Sequence, residues 1–164
     1  MLIKKMITML VLFELSHVAT AATVTGTLPV ATLVSANCTL NSAVLSFGNY
    51  APIGLNKTSP LDSSTSFQIA CTKGANVVIS MNNGLYSTNA QSASRAMTDG
   101  SQHYLSYELY TNSGHSNVWN TTNTLSYMST SSAASSETVY GRIPAGQNPA
   151  AGNYTDMVTI TATF

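Results

Sequence analysis

Few side chains in this 164-residue sequence are able to do covalent or acid–base chemistry, and their spacing limits what that chemistry is. Beyond residue 22 the histidines are His103 and His115, and the acids are Asp62, Asp99, Glu108, Glu137 and Asp156. Nucleophilic catalysis needs a Ser or Cys beside a base that a third group orients. No G-x-S-x-G elbow is present, and both histidines read as surface residues, His103 opening a strand and His115 in the turn Asn112-Ser113-Gly114-His115. The scattered acids do not set up the neighbouring carboxylates of glycoside hydrolysis. Asp156 breaks an apolar strand pattern and reads as an acceptor for nearby backbone or hydroxyl groups. Neither a C-x-x-C spacing, clustered histidines nor a D-x-D loop offers a metal site, so the expectation is no enzyme, no metal and no cofactor.

The chemistry that remains is pairing. Cys38 and Cys71 are the two cysteines, and residues 1–21 read as a secretory signal peptide. Lys4 and Lys5 precede the apolar run Met6–Phe13, and Ala19-Thr20-Ala21 supplies small residues for cleavage before Ala22. That run is far shorter than the about 20 residues that span a bilayer, so export without a membrane span is expected. In an exported chain a single Cys38–Cys71 disulfide is the expected state, and closing a loop of that length contributes roughly 3.7 kcal/mol in the chain-entropy account.

Past the signal peptide, four basic residues (Lys57, Lys73, Arg95, Arg142) face five acids, a net charge of −1. Nothing there attracts nucleic acid or an anionic membrane surface. Ser, Thr and Asn carry the polarity, and the strand edges have almost no guarding lysines.

Short alternating runs with turn punctuation predict one all-β sandwich. Strands are expected over 39–47, 65–71 (Phe67, Ile69 and Cys71 on one face), 76–81, 103–111, 138–143 and 154–164. Asn82-Asn83-Gly84 is a strong turn signal. The stretches 51–63, 85–100 and 129–136 read as loops. In the last strand Tyr154, Val158, Ile160, Ala162 and Phe164 share a face, and with no successor it is expected at a sheet edge.

One further alternation stands apart. Val24, Gly26, Leu28, Val30, Thr32 and Val34 share one parity of the segment ahead of Cys38, and Pro29 restricts it to an edge or end strand. Two readings fit it: the first strand of a closed sandwich, or a strand that inserts into a neighbouring subunit.

Together these stretches resemble the spore coat protein U domain, the pilin domain of archaic chaperone–usher pili. The likeness rests on Cys38, Phe47-Gly48-Asn49-Tyr50, Cys71-Thr72-Lys73-Gly74, Asn83-Gly84 and Arg95-Ala96-Met97. It continues through Leu105-Ser106-Tyr107-Glu108-Leu109-Tyr110, Val139-Tyr140-Gly141-Arg142-Ile143 and Gly152-Asn153-Tyr154-Thr155-Asp156. The resemblance implies an incomplete immunoglobulin-like β-sandwich lacking its last strand, spanning residues 36–164. A neighbour's N-terminal extension, here within residues 22–35, would supply that strand to a groove bordered by 154–164. It also implies a periplasmic chaperone, an outer-membrane usher and neighbouring pilin subunits as partners, with assembly on the cell surface for attachment or biofilm formation. Tip proteins of that family carry a further receptor-binding domain, so a place within or at the base of the fibre is expected. The rival readings are a spore-coat structural protein and a secreted carbohydrate-binding or adhesin module stacking sugars on Trp119, Tyr86, Tyr104, Tyr107 or Tyr127.

Overall fold

The computed structural model describes residues 20–41 and 43–164. The expected signal peptide lies outside the described residues apart from its last two positions. The chain divides into two units at Leu33/Val34. In the first, residues 20–33 form neither strand nor helix and are exposed throughout.

Among the described residues the second unit holds eight strands: β1 Cys38–Leu40, β2 Leu61–Cys71, β3 Asn76–Met81, β4 Arg95–Thr98, β5 Tyr104–Tyr110, β6 Leu125–Met128, β7 Ser135–Ile143 and β8 Ile160–Thr163. They form two antiparallel sheets, five-stranded in the order β1-β2-β7-β5-β4 and three-stranded in the order β6-β3-β8. The period-two pattern of Phe67, Ile69 and Cys71 in β2 and of Val77, Ile79 and Met81 in β3 puts those faces against each other as the core. Leu105, Tyr107 and Leu109 of β5 join them, with Val139 and Ile143 of β7. Trp119 is buried among them, and its indole N–H donates to the Ile79 carbonyl at 3.0 Å. It therefore fills the core and offers no sugar platform.

Cys38 and Cys71 are directly opposed across β1 and β2 and joined by a disulfide. β3 ends at its turn, where Gly84 has φ +75°.

Three elements differ from the sequence reading. β2 begins at Leu61, because its small polar residues keep the strand register with β7 from Leu61↔Ile143 to Ile69↔Ser135. β6 forms in a stretch assigned to no element, pairing Ile79 with Leu125 and Asn76 with Met128. β4 lies inside the expected loop 85–100 and is held by a buried charge.

Arg95 is fully buried and pairs with Glu108, itself 6% exposed. The guanidinium also donates to the carbonyls of Asn82 and Trp119, while Glu108 accepts from the Ser94 amide and hydroxyl and from the Leu109 amide. Nearly every donor and acceptor of the pair is thus satisfied, which is the condition for keeping charges inside. Removing one partner strands the other. Arg95→Met should destabilise the fold by about 3–5 kcal/mol in urea unfolding, and Glu108→Gln on top of it should recover part of the loss. A loss below about 1 kcal/mol would mean the pair adds nothing to the fold.

Candidate functional site

The sandwich is open along one side. After Asn41, whose amide still reaches the Gln68 carbonyl, the chain leaves β2, and Ala43–Phe47 make no backbone–backbone hydrogen bond among the described residues. Their side chains nevertheless alternate, with Ala43, Leu45 and Phe47 half-buried and Val44 and Ser46 exposed. Gly141 allows this close approach: a Cβ there would sit 2.6 Å from Leu45 Cδ2 and 2.7 Å from Phe47 Cζ.

The facing wall is the C-terminal segment. Tyr154, Asp156, Val158, Ile160 and Ala162 are half-buried, and the residues between them are exposed. One edge of this segment is occupied. Thr155 exchanges backbone bonds with Thr98 at 3.0 and 2.9 Å, Thr159 is held by the Asn82 amide and side-chain oxygen, and β8 pairs with β3. The other edge is free: among the described residues no hydrogen bond uses the backbone N–H or C=O of Tyr154, Asp156 or Val158.

Between these walls lies a groove of about 340 Å³ floored by Met81, Met97, Tyr107, Leu109 and Val139. Its lining is apolar apart from Thr65, Thr155, Asp156 and the hydroxyls of Tyr107 and Tyr154, so among the described residues Asp156 is its one charged side chain. Asp156 Oδ1 accepts from the amides of Leu85 at 2.9 Å and Met157 at 2.8 Å, and Oδ2 accepts from the Tyr107 hydroxyl at 2.7 Å. This is the acceptor role its place in the sequence suggested. Burial first, and then the bond to Asp156, pushes the Tyr107 hydroxyl far above the ordinary tyrosine range, so it stays a donor. A Cβ at Gly84 would fall 1.9 Å from Asp156 Oδ2, at a positive φ. Gly84→Ala should therefore cost roughly 2–4 kcal/mol in chemical unfolding, from strain and displacement of Asp156 together; an unchanged midpoint would show that the turn relaxes freely.

The residues singled out in the sequence divide into two sets. Tyr154, Val158 and Ile160 line one groove wall, Ala162 is half-buried in β8 beyond it, and Phe164 is about half exposed. Val24, Leu28, Val30 and Val34 are 98%, 85%, 88% and 76% exposed, and Gly26 and Thr32 are exposed too. The opposite wall, 43–47, and the groove floor were not singled out, although the alternation expected over 39–47 carried the wall. His115 corrects the surface reading: its side chain is 8% exposed and packs edge-on to Tyr110 and Tyr140, beside Asp62. Asp62 is itself held below the usual carboxylate range, first by its hydrogen bonds from Arg142. His103 is exposed and bonded to Asp99 at 2.7 Å.

A family profile described as the Spore Coat Protein U domain matches residues 24–161. The chain belongs to that family. The spore coat protein U match begins at Val24 and ends at Thr161, and so takes in the exposed N-terminal alternation, the 43–47 wall and the C-terminal wall as far as Ile160. Protein U of Myxococcus xanthus is 35% identical over 158 residues, covering 89% of this chain and 88% of that protein. A solved structure with the same fold is titled as the CsuC–CsuE chaperone–tip adhesion subunit pre-assembly complex from archaic chaperone-usher Csu pili of Acinetobacter baumannii. One of its chains aligns at a TM-score of 0.54 and 24% identity. The alignment covers 80% of this chain and 40% of that one, so this chain spans less than half that neighbour's length. The two antiparallel sheets are thus an all-β, immunoglobulin-like sandwich.

Proposed function

We propose that this protein is a structural pilin-type subunit that polymerises by strand donation. The N-terminal segment 22–35 of one copy fills the groove between 43–47 and 154–164 of the next. The observation that carries the reading is the groove: two alternating, largely apolar walls, where among the described residues Ala43–Phe47 make no backbone–backbone bond and the backbone of Tyr154, Asp156 and Val158 has no partner, in a chain that also holds an exposed alternating segment. Strand addition uses both, since main-chain bonds give affinity and alternate side-chain pockets give register. Domain boundaries follow from this assignment, with residues 36–164 as the pilin domain. An open apolar groove is an association hazard in a free monomer. A periplasmic chaperone that covers it before assembly, and an outer-membrane usher that passes subunits on, fit the pre-assembly complex named for the structural neighbour. Export by the signal peptide, assembly at the cell surface and a role in attachment or biofilm formation complete the proposal. The family's description favours a second setting for the same strand exchange, a coat.

Electron microscopy of wild-type and Val30→Asp chains tests the reading. Fibres from the wild type alone support it, fibres of equal length from both overturn the donor assignment, and no polymer from either overturns strand donation.

A further inference from the structure

The inward face of the N-terminal segment is apolar except at Gly26 and Thr32, and the groove has one charged position, Asp156. Resting on the strand-donation reading above, we propose that Thr32 of a second copy seats opposite Asp156 and thereby fixes both the register and the direction of the donor.

The argument begins with the carboxylate. Two oxygens offer about four acceptor sites, and three donors are already in place, from Leu85, Met157 and Tyr107. Oδ2 packs against Gly84 and accepts a hydrogen bond only from the Tyr107 hydroxyl, so its acceptor capacity is not filled. A strand closing the groove strips water from that oxygen, and a buried acceptor left unpaired is costly. The donor therefore gains most from placing a hydroxyl there. Thr32 is the one inward residue that has it.

The alignment that follows uses the whole groove. Residues directly opposite on neighbouring strands point to the same face. With the donor antiparallel to 154–164 and Thr32 beside Asp156, the pairing runs from Val34 beside Tyr154 to Val24 beside Phe164. All the inward donor positions then meet all the inward positions of the C-terminal segment. A parallel donor with Thr32 at Asp156 would set Val30 beside Tyr154 and carry Leu28, Gly26 and Val24 past the groove. A parallel donor that overlaps fully would instead bring Gly26 to Asp156, leaving the carboxylate without a hydroxyl. The two complete alignments are thus told apart by which residue, Thr32 or Gly26, meets the acid.

The test titrates fluorescent peptides of residues 22–35 onto the full mature chain, held dilute enough to stay monomeric, with binding read by anisotropy. Every substitution sits on the peptide, so folding of the acceptor is untouched. Thr32→Val, which keeps the shape and loses the hydroxyl, should weaken binding on the order of tenfold to a hundredfold. Gly26→Ala should stay within about threefold, because it faces Ala162 and open space. A photo-leucine in place of Val24 should mark the chain around Phe164. Unchanged binding by the Thr32→Val peptide, or labelling around Tyr154, overturns the register while leaving strand donation standing. A wild-type peptide that does not bind at all removes strand donation itself, and the register with it.

Discussion

Residues 36–164 extended behind Phe164 by a short flexible linker and a copy of residues 22–35 should melt on the order of 20 °C or more above residues 36–164 alone. The estimate starts from the four large apolar donor residues. Val24, Leu28, Val30 and Val34 are almost fully exposed in this chain, and burying them at about 1.5–3 kcal/mol each gives about 6–12 kcal/mol. Ordering a strand costs backbone entropy, which two free edges offset by main-chain hydrogen bonds along both sides of the insert. Fusion also removes the translational cost of bringing donor and acceptor together. A domain of this size gains several degrees per kcal/mol, so even half of the apolar term is easily read by calorimetry. The fusion should be monomeric at concentrations where the unfused mature chain associates. Two soluble monomers with the same melting temperature would mean that the sandwich is already closed, and strand donation would fail.

How legible this fold was in the sequence depended on where each element finds its partner. Residues 76–81 were readable to the residue, because a β-branched run stops at Asn82-Asn83-Gly84 and its core face is complete within the chain. The inward face of β2 was readable for the same reason, while its polar first half was not, since Ser and Thr signal loop as much as edge. β4 was invisible because its reason for being a strand is not apolar alternation but the buried Arg95–Glu108 pair, whose halves lie in different strands. His115 was misread because the tyrosines that bury it come from β5 and β7.

The most instructive mismatch is of another kind. The alternation over 154–164 predicted a full strand, yet the ladder covers only Ile160–Thr163. The alternation over 39–47 behaves likewise, with pairing confined to Cys38–Leu40. In both cases the side chains keep strand periodicity in their burial while the backbone lacks a partner on the groove side. Segment 24–34 has the periodicity with neither burial nor ladder. The pattern in these three stretches describes an environment that a single copy does not provide, and the proposed second copy supplies the missing half.

That view makes Val30→Asp a strong and unusually specific perturbation. Placing an aspartate in an apolar groove requires either burying its charge or protonating it. For a side chain of ordinary pKa near 3.9, protonation at pH 7 costs about 4 kcal/mol, and the lost valine burial adds about 1.5–3 kcal/mol. The sum weakens donation on the order of ten-thousand-fold, which ends fibre growth. The variant's own domain is unaffected, since Val30 lies outside residues 36–164 and is 88% exposed. Its groove still accepts a wild-type strand, so mixing it into wild-type subunits should shorten fibres in proportion to its share, as a chain terminator does. The block should also depend on pH in one direction. In the closed groove the aspartate is neutral and its pKa is raised above the free value, so donation improves as pH falls toward 4. Only the smaller loss of valine burial then persists. Val30→Asn, with nothing to titrate, should show no such recovery. Light scattering of mixed assemblies at pH 7 and pH 4 measures both effects. A variant that neither shortens mixed fibres nor recovers in acid would place Val30 outside the donor–acceptor contact.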